Sequence, residues 1–320
     1  MSKAVKIWLV AATLLLIVGV VLFAIAFVAA DGDITKLGTV KYVLYSCEIN
    51  EEFDSISINT DTADIEFLPS ENEKCRVECY ERQNEHHLTT VSNDTLSIDL
   101  NDTRKWYDYI EIGFGTPKIT VYLPEKEYSV LTVNESTGDV KIPREFSFDS
   151  IDIWASTGDI ECRASAKGMI KIKLSTGDIE LDSLSAHELD LSTTTGEIGI
   201  SSVKCDENIS IGVSTGDVEI ENTTCKSLVS KGSTGDVTLE NAVASERINI
   251  ERSTGDVSLD GCDAADIFIK TTTGDIAGSL LSEKVFVAES STGKVTVPSG
   301  SGNEKCEIIC STGNIRIVIE

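Results

Sequence analysis

Basic residues are scarce in this chain: 27 Lys and Arg face 53 Asp and Glu, for a formal net charge of −26. Nucleic acid is disfavoured as a partner, because binding it relies on Lys and Arg to neutralise phosphates. Proline is scarce too, at five residues, while Gly, Ser, Thr, Asp, Val and Ile dominate, a mix that favours strands and turns. Histidine occurs only at His86, His87 and His187, and there is no nucleophile elbow, phosphate loop or zinc-protease motif. With no convergent constellation to name, catalysis is not expected.

The first thirty residues stand apart. Residues 7–30 form a run of 24 without a charge, preceded by Lys3 and Lys6 and followed by Asp31 and Asp33. A helix of that length, at about 1.5 Å per residue, covers the roughly 30 Å hydrocarbon core of a bilayer. The lysines on the short side place the N-terminus in the cytoplasm and residues 31–320 outside the cell membrane. A cleaved signal peptide is the rival reading, since Val28-Ala29-Ala30 resembles a cleavage site, but its apolar region is normally about 7–15 residues. Without Lys3 and Lys6, the outer part carries 25 bases against 53 acids, a charge of −28. Anionic headgroups would repel it, which leaves soluble cations, a basic protein or neutral glycans as partners.

An internal repeat decides the fold. A Gly preceded by Thr, and before that by Ser or Thr, recurs at Gly138, Gly158, Gly177, Gly196, Gly216, Gly235, Gly255, Gly274, Gly293 and Gly313. The spacing is always 19 or 20 residues, which leaves no room for long loops between units. Two residues after each Gly stands a Val or Ile, from Val140 and Ile160 to Val295 and Ile315. Four residues after it the side chains are again nearly all apolar, and pairs such as Ile151 and Ile153 or Ile170 and Ile172 precede it. This period of two is that of strands with one dry face. The inward set continues through the Gly without a hairpin reversal, so each unit is strand, corner, strand and a further bend through small residues at about plus seven to plus nine, and units stack in parallel. At about 4.8 Å per coil, ten coils make a rod roughly 50 Å long. The fold expected is therefore all-β, a parallel β-helix or solenoid of 19–20-residue coils behind one transmembrane helix, right-handed by the general crossover preference.

The chain divides into a cytoplasmic tail 1–6, the helix 7–30, a juxtamembrane linker 31–50 with room for one strand, irregular coils 51–135 that cap the solenoid, and regular repeats 136–320. Within 51–135, Ile56 and Ile58 lead through Thr60-Asp61-Thr62-Ala63-Asp64 to Ile65 and Phe67, an early coil with Ala63 in place of Gly. Further strands are expected near residues 76–80, 95–100, 118–123 and 128–133.

The segment 53–67, the Val121-Tyr122-Leu123-Pro124 segment leading to Leu131 and Val133, and the Ser-Thr-Gly-Asp units together resemble a bacterial family of β-strand-repeat proteins of unknown function, described as candidate adhesins. The resemblance covers roughly residues 50–320. It implies a β-helix-like fold on the cell surface and brings no catalytic residues. Glu197, Lys294 and Asn314 depart from the usual Asp.

Asp139, Asp159, Asp178, Glu197, Asp217, Asp236, Asp256 and Asp275 follow their glycines and would stack along one edge. Carboxylates ~5 Å apart at an effective dielectric of about 20 repel by about 3 kcal/mol per pair before screening. Either Ca²⁺, the one cofactor the sequence suggests, bridges the coils, or each Asp accepts hydrogen bonds at its own turn. Nine cysteines are present, but Cys75 and Cys79, like Cys306 and Cys310, lie four apart on one strand, ~13 Å, too far to join. Only Cys205 and Cys225, one coil apart in the same column, have a spacing that permits a bond; otherwise the cysteines fill the core. His86 and His87, a pair amid acids, could hold a metal, but a solvated surface pair is the leading reading. Trp106, Tyr107, Tyr109 and Phe114 form an aromatic cluster, with Trp154 on an outer face. These rings either contact a glycan or protein or cover the open first coil. The final segment 315–320 reads as a strand left open at the end of the rod, where a second copy would associate end to end.

A surface interaction or adhesion module is thus the leading function. A self-assembling envelope rod and a polysaccharide-acting β-helix enzyme are the alternatives.

Overall fold

The computed structural model describes residues 2–105, 113–300 and 303–320. Lys3–Ala29 is a single helix, long and apolar enough to cross a membrane, with none of its apolar stretch buried against the rest of the chain. After a short 3₁₀ turn at Ile34–Leu37, the segment read as a linker already enters the fold through the strand Tyr42–Ile49.

The repeats build two sheets of 16 and 14 strands, here the leading sheet, whose strands run into each corner, and the trailing sheet, whose strands leave it. Through the repeats all neighbours are parallel and, apart from shifts at Cys225–Ser227 and Leu259–Cys262, in register: Ile151 lies on Ile170, Ile170 on Leu189, and Ile160 on Ile179. The inward columns form one continuous core; Ile153, Ile172, Leu191, Val218, Val237 and Ile276 are all fully buried. A coil alone has nothing to bury these side chains against, so stacking is what makes each coil stable.

The corner requires its glycine. Gly216 has φ +142°, and a Cβ there would run into the carbonyl of Gly196 in the coil beneath. That close approach is built into the stack, because the Gly216 N–H donates to the Thr234 carbonyl of the coil above at 2.9 Å. A second corner follows six residues later in left-handed backbone, at Ser183, Ser202, Asn222 and Asn241, with φ of 48–56°, and at Gly261 with φ 59°. The bend expected at about plus seven to plus nine thus falls slightly earlier, where polar residues able to adopt positive φ take the place of a fixed Gly.

Both ends depart from simple stacking. At the C-terminal end the chain passes from Ile276–Leu280 to an outermost coil, Val285–Thr292 and Val295–Thr296, then returns to insert Lys305–Thr312 and Ile315–Ile319 beneath it. The segment 315–320 is therefore not the open edge expected from its place in sequence. Lys284 anchors the crossover: its side chain is wholly buried, with Nζ 2.6 Å from Asp263 Oδ1 and 2.7 Å from Ser282 Oγ, and it also pairs with Glu304 at the start of the returning segment. At the N-terminal end, Ser55–Asn59 and Asp64–Pro69 likewise lie inside the end, with two strands outside the first and three outside the second. Outside them, Tyr42–Ile49, Cys75–Arg82 and Lys118–Leu123 pair antiparallel in the trailing sheet, while Glu85–Ser92 and Thr95–Asp102 form a hairpin in the leading one. Antiparallel strands thus form the N-terminal end, with Tyr42–Ile49 and Glu85–Ser92 as its edges.

One core irregularity is compensated locally. Ser230 and Gly232 stand where neighbouring coils carry larger inward residues, and the Arg252 side chain fills the space from the next coil. Its guanidinium donates to Ser230 Oγ at 2.9 Å and the Glu251 carbonyl at 3.0 Å, and burial pulls its pKa down to about 10.

Candidate functional site

The acid column runs as a hydrogen-bond ladder. Each carboxylate accepts the backbone N–H of the equivalent residue one coil on: Asp159 N to Asp139 Oδ1 at 2.9 Å, Asp178 to Asp159 at 3.0 Å, Glu197 to Asp178 at 2.7 Å. After Glu197 it resumes from Asp217 through Asp236 and Asp256 to Asp275. The interleaved end continues it, since Asn314 N donates to Asp275 Oδ1 at 2.7 Å and Lys294 N to Asn314 Oδ1 at 3.0 Å. Among the described residues no such bond links Asp217 to Glu197, whose longer side chain sits among Glu219, Asp178 and Asp217; partial burial first, then these acids, raise its pKa. One oxygen of each bonded Asp is thereby committed to the backbone, and a Ca²⁺ ladder would rest on the other.

Of the aromatic residues proposed as contacts, Trp106, Tyr107 and Tyr109 lie outside the described residues. Trp154 is on the outer face of the leading sheet and 44% exposed. Its indole N–H donates to Asp152 at 2.7 Å, and Lys171 and Lys173 of the next coil bring their Nζ atoms 5.4 and 4.9 Å from its rings. Along the same outer row, Asn134 Nδ2 donates to Asn59 Oδ1 at 2.9 Å and Asn59 Nδ2 to Asp99 Oδ1 at 2.6 Å. Trp154, Lys173, Asn134, Asn59 and Asp99 border a shallow depression of about 610 Å³ along the corner edge, whose lining includes Glu135. Glu135 is 6% exposed, and neither oxygen has a hydrogen-bond partner. Burial, with Asp64 and Asp139 adding repulsion, pushes its pKa up to about 8, so it is largely neutral at pH 7.

Asn59, Asn134, Asp99 and the two lysines were missed as site residues from sequence. Trp154, Asn134 and Lys173 share the position four before the corner Gly, so alignment of the repeats held that part of the signal. The contribution of Asn59 and Asp99 depends on the interleaved stacking, which the repeat does not encode.

The thiols sit as a core-filling reading predicts: Cys75, Cys79, Cys162, Cys205, Cys262, Cys306 and Cys310 are buried, and every cysteine is free. Cys205 and Cys225 face neighbouring coils as separate thiols. The reading of His86 and His87 as a solvated pair is corrected for His87 alone, since the His86 side chain is 35% exposed. They lie on the strand Glu85–Ser92, and the His87 side chain is 3% exposed because alternation on that strand turns it inward.

Such an arrangement defines a parallel β-solenoid with a polar, aromatic-bearing flat face. The chain belongs to the family described as Toastrack DUF4097, whose model matches residues 53–317. That family is of unknown function. No curated protein matches the chain. Among solved structures it is similar to a candidate adhesin of Parabacteroides merdae, at 15% identity over 75% of this chain and 97% of that one, with a TM-score of 0.50. A candidate adhesin of Bacteroides fragilis is 18% identical over 87% and 97%, with a TM-score of 0.45. A protein of Parabacteroides distasonis described as a candidate lipid-binding protein is 16% identical over 86% and 98%, at 0.32. At such identities the likeness speaks to the fold alone.

Proposed function

We propose that the chain is a non-enzymatic, membrane-anchored surface module that holds a glycan against the Trp154 face of its solenoid. The names of the similar structures agree with a surface role. The observation that carries the reading is the Trp154 row. It sets an exposed indole between two lysines and a line of amides and a carboxylate, on a flat face in shallow relief. A sugar ring presents an apolar face that an aromatic ring covers and a rim of hydroxyls that amides, carboxylates and ammonium groups bind. A formal charge of −28 outside the membrane repels strongly anionic polymers, which favours neutral glycans. The helix would hold this face outside the cell with the N-terminus in the cytoplasm, following the charge bias around it.

The test is binding of the detergent-solubilised full chain to a glycan panel that includes neutral and uronic-acid polymers. Wild type is expected to retain a neutral subset, and Trp154→Ala to lose it at least tenfold with unchanged circular dichroism. Undiminished binding by Trp154→Ala, or no glycan retained, rejects this face. Product release from any bound polymer would reinstate the enzymatic alternative.

A further inference from the structure

We propose that Cys79, Glu81 and His87 form a binding site for a divalent transition metal, with Zn²⁺ the best chemical fit. On the strand Cys75–Arg82, Cys79 and Glu81 point inward from the trailing sheet. Three residues beyond that strand begins Glu85–Ser92 in the leading sheet, which turns His87 toward them. The thiol sulfur, a carboxylate oxygen and an imidazole nitrogen lie within 4.8 Å of one another, the only group of three such donors among the described residues. Around a tetrahedral Zn²⁺ with bonds of about 2.0–2.3 Å, donor atoms stand about 3.3–3.7 Å apart, so small side-chain adjustments would close the site. One sulfur, one nitrogen and one oxygen donor suit Zn²⁺ better than Ca²⁺ or Mg²⁺, which prefer oxygen alone.

The surroundings orient these donors. His87 Nδ1 lies 2.7 Å from Glu81 Oε2, while its Nε2 lies 2.9 Å from Thr60 Oγ1. With Nδ1 on the metal, Nε2–H donates to Thr60, the outer hydrogen bond that fixes tautomer and ring plane at metal-bound histidines. The other Glu81 oxygen is held by His86 Nδ1 at 3.0 Å, and His86 packs edge-on against Tyr45. Cys79 and Glu81 are 4% and 2% exposed, so the site is walled from bulk solvent except on the His86 side. On binding, Cys79 ligates as thiolate and its proton passes to solvent. The bound ion would join three elements: the first coil's corner through Thr60, the trailing sheet through Cys79 and Glu81, and the leading sheet through His87. This is the end of the rod whose strand Tyr42–Ile49 follows the membrane helix. The inference is independent of the glycan reading.

The experiment uses the full chain in detergent, stripped with a chelator, reduced, and titrated with Co²⁺ as a spectroscopic stand-in for Zn²⁺. One equivalent is expected to give tetrahedral ligand-field bands with a thiolate-to-cobalt charge-transfer band, both lost on adding Zn²⁺. Cys79→Ser should remove the charge-transfer band. His87→Asn should weaken binding by more than about tenfold, and Thr60→Val by about tenfold, the usual effect of losing an outer-shell partner. Absence of a one-equivalent tetrahedral spectrum overturns the site. So does an unchanged spectrum and affinity in His87→Asn with wild-type circular dichroism, a readout that stands even if Cys79→Ser fails to fold.

Discussion

At most corners an Asp carboxylate accepts one backbone N–H from the coil stacked on it, and what matters at that position is the acceptor rather than the charge. Asn314 shows this directly by serving the Lys294 amide with its side-chain oxygen. Asp256→Asn, which keeps the acceptor for Asp275 N, is therefore expected to change stability by less than about 0.5 kcal/mol. Asp256→Ala should cost about 1 kcal/mol, read as the difference between the two variants in chemical denaturation. Equal losses would show that charge, not the N–H bond, fixes the column. Glu135 behaves oppositely, because its carboxyl has no donor at all. Its folded pKa of about 8 lies above the ordinary 4.5, so the proton favours the folded state. That contribution is complete below about pH 4.5 and is lost as pH rises through 8. Glu135→Gln is expected to flatten stability over this window and to be the more stable protein at pH 9, by on the order of 5 kcal/mol. Parallel pH profiles of melting temperature for the two proteins would refute it.

At the level of the coil, the corner Gly and the aliphatic columns act together. Gly216→Ala places a Cβ against the Gly196 carbonyl in backbone of φ +142° and should cost about 3 kcal/mol or more, measured by denaturant unfolding. A loss below about 1 kcal/mol would mean that the stack can shift to admit a methyl. The acid column makes a further prediction: with backbone amides already engaging one oxygen of each bonded Asp, chelator is expected to leave the melting temperature unchanged. A rise on adding Ca²⁺ that chelator reverses would instead support the calcium ladder. Parallel stacking, the dry columns and the corner were legible because two periods coincide in the sequence, two residues along a strand and 19–20 between coils. The order of stacking was not legible. Gly293 and Gly313 carry the same signature, yet the later coil lies inside the earlier one, a choice tied to Lys284 and its partners, which no repeat position marks. His87 was misread for a related reason. Its strand has no alternating apolar run, so its inward face shows only when it meets Cys79 and Glu81 from the other sheet. Ser230, Gly232 and Arg252 look like three defects in three columns and become one packing unit once adjacent coils are superposed.

For the molecule as a whole, the interleaved C-terminus moves the open end of the rod to the coil before it. Val285–Thr292 and Val295–Thr296 are the last strands of their sheets, and Val285, Val287 and Val295 are 43%, 52% and 37% exposed beside them. The N-terminal end, by contrast, finishes in antiparallel strands. An uncovered edge with apolar neighbours is a template for another strand, and natural edges are commonly protected by Lys or Pro. We therefore expect two copies to pair at this end, edge against edge, against the repulsion of their shared negative charge. Association should strengthen as salt screens that charge over a Debye length of roughly 8–10 Å near physiological ionic strength. Sedimentation of the full chain in detergent is expected to show a dimer that grows with protein concentration and with salt. Val287→Lys, which sets a charge beside the free edge without touching the inward Phe286 and Ala288 positions, should return it to monomer. A monomer at all concentrations, or a dimer indifferent to Val287→Lys, would leave this edge without a role in assembly and assign any self-association to the membrane helix or to the N-terminal edge with its exposed Leu44 and Leu88.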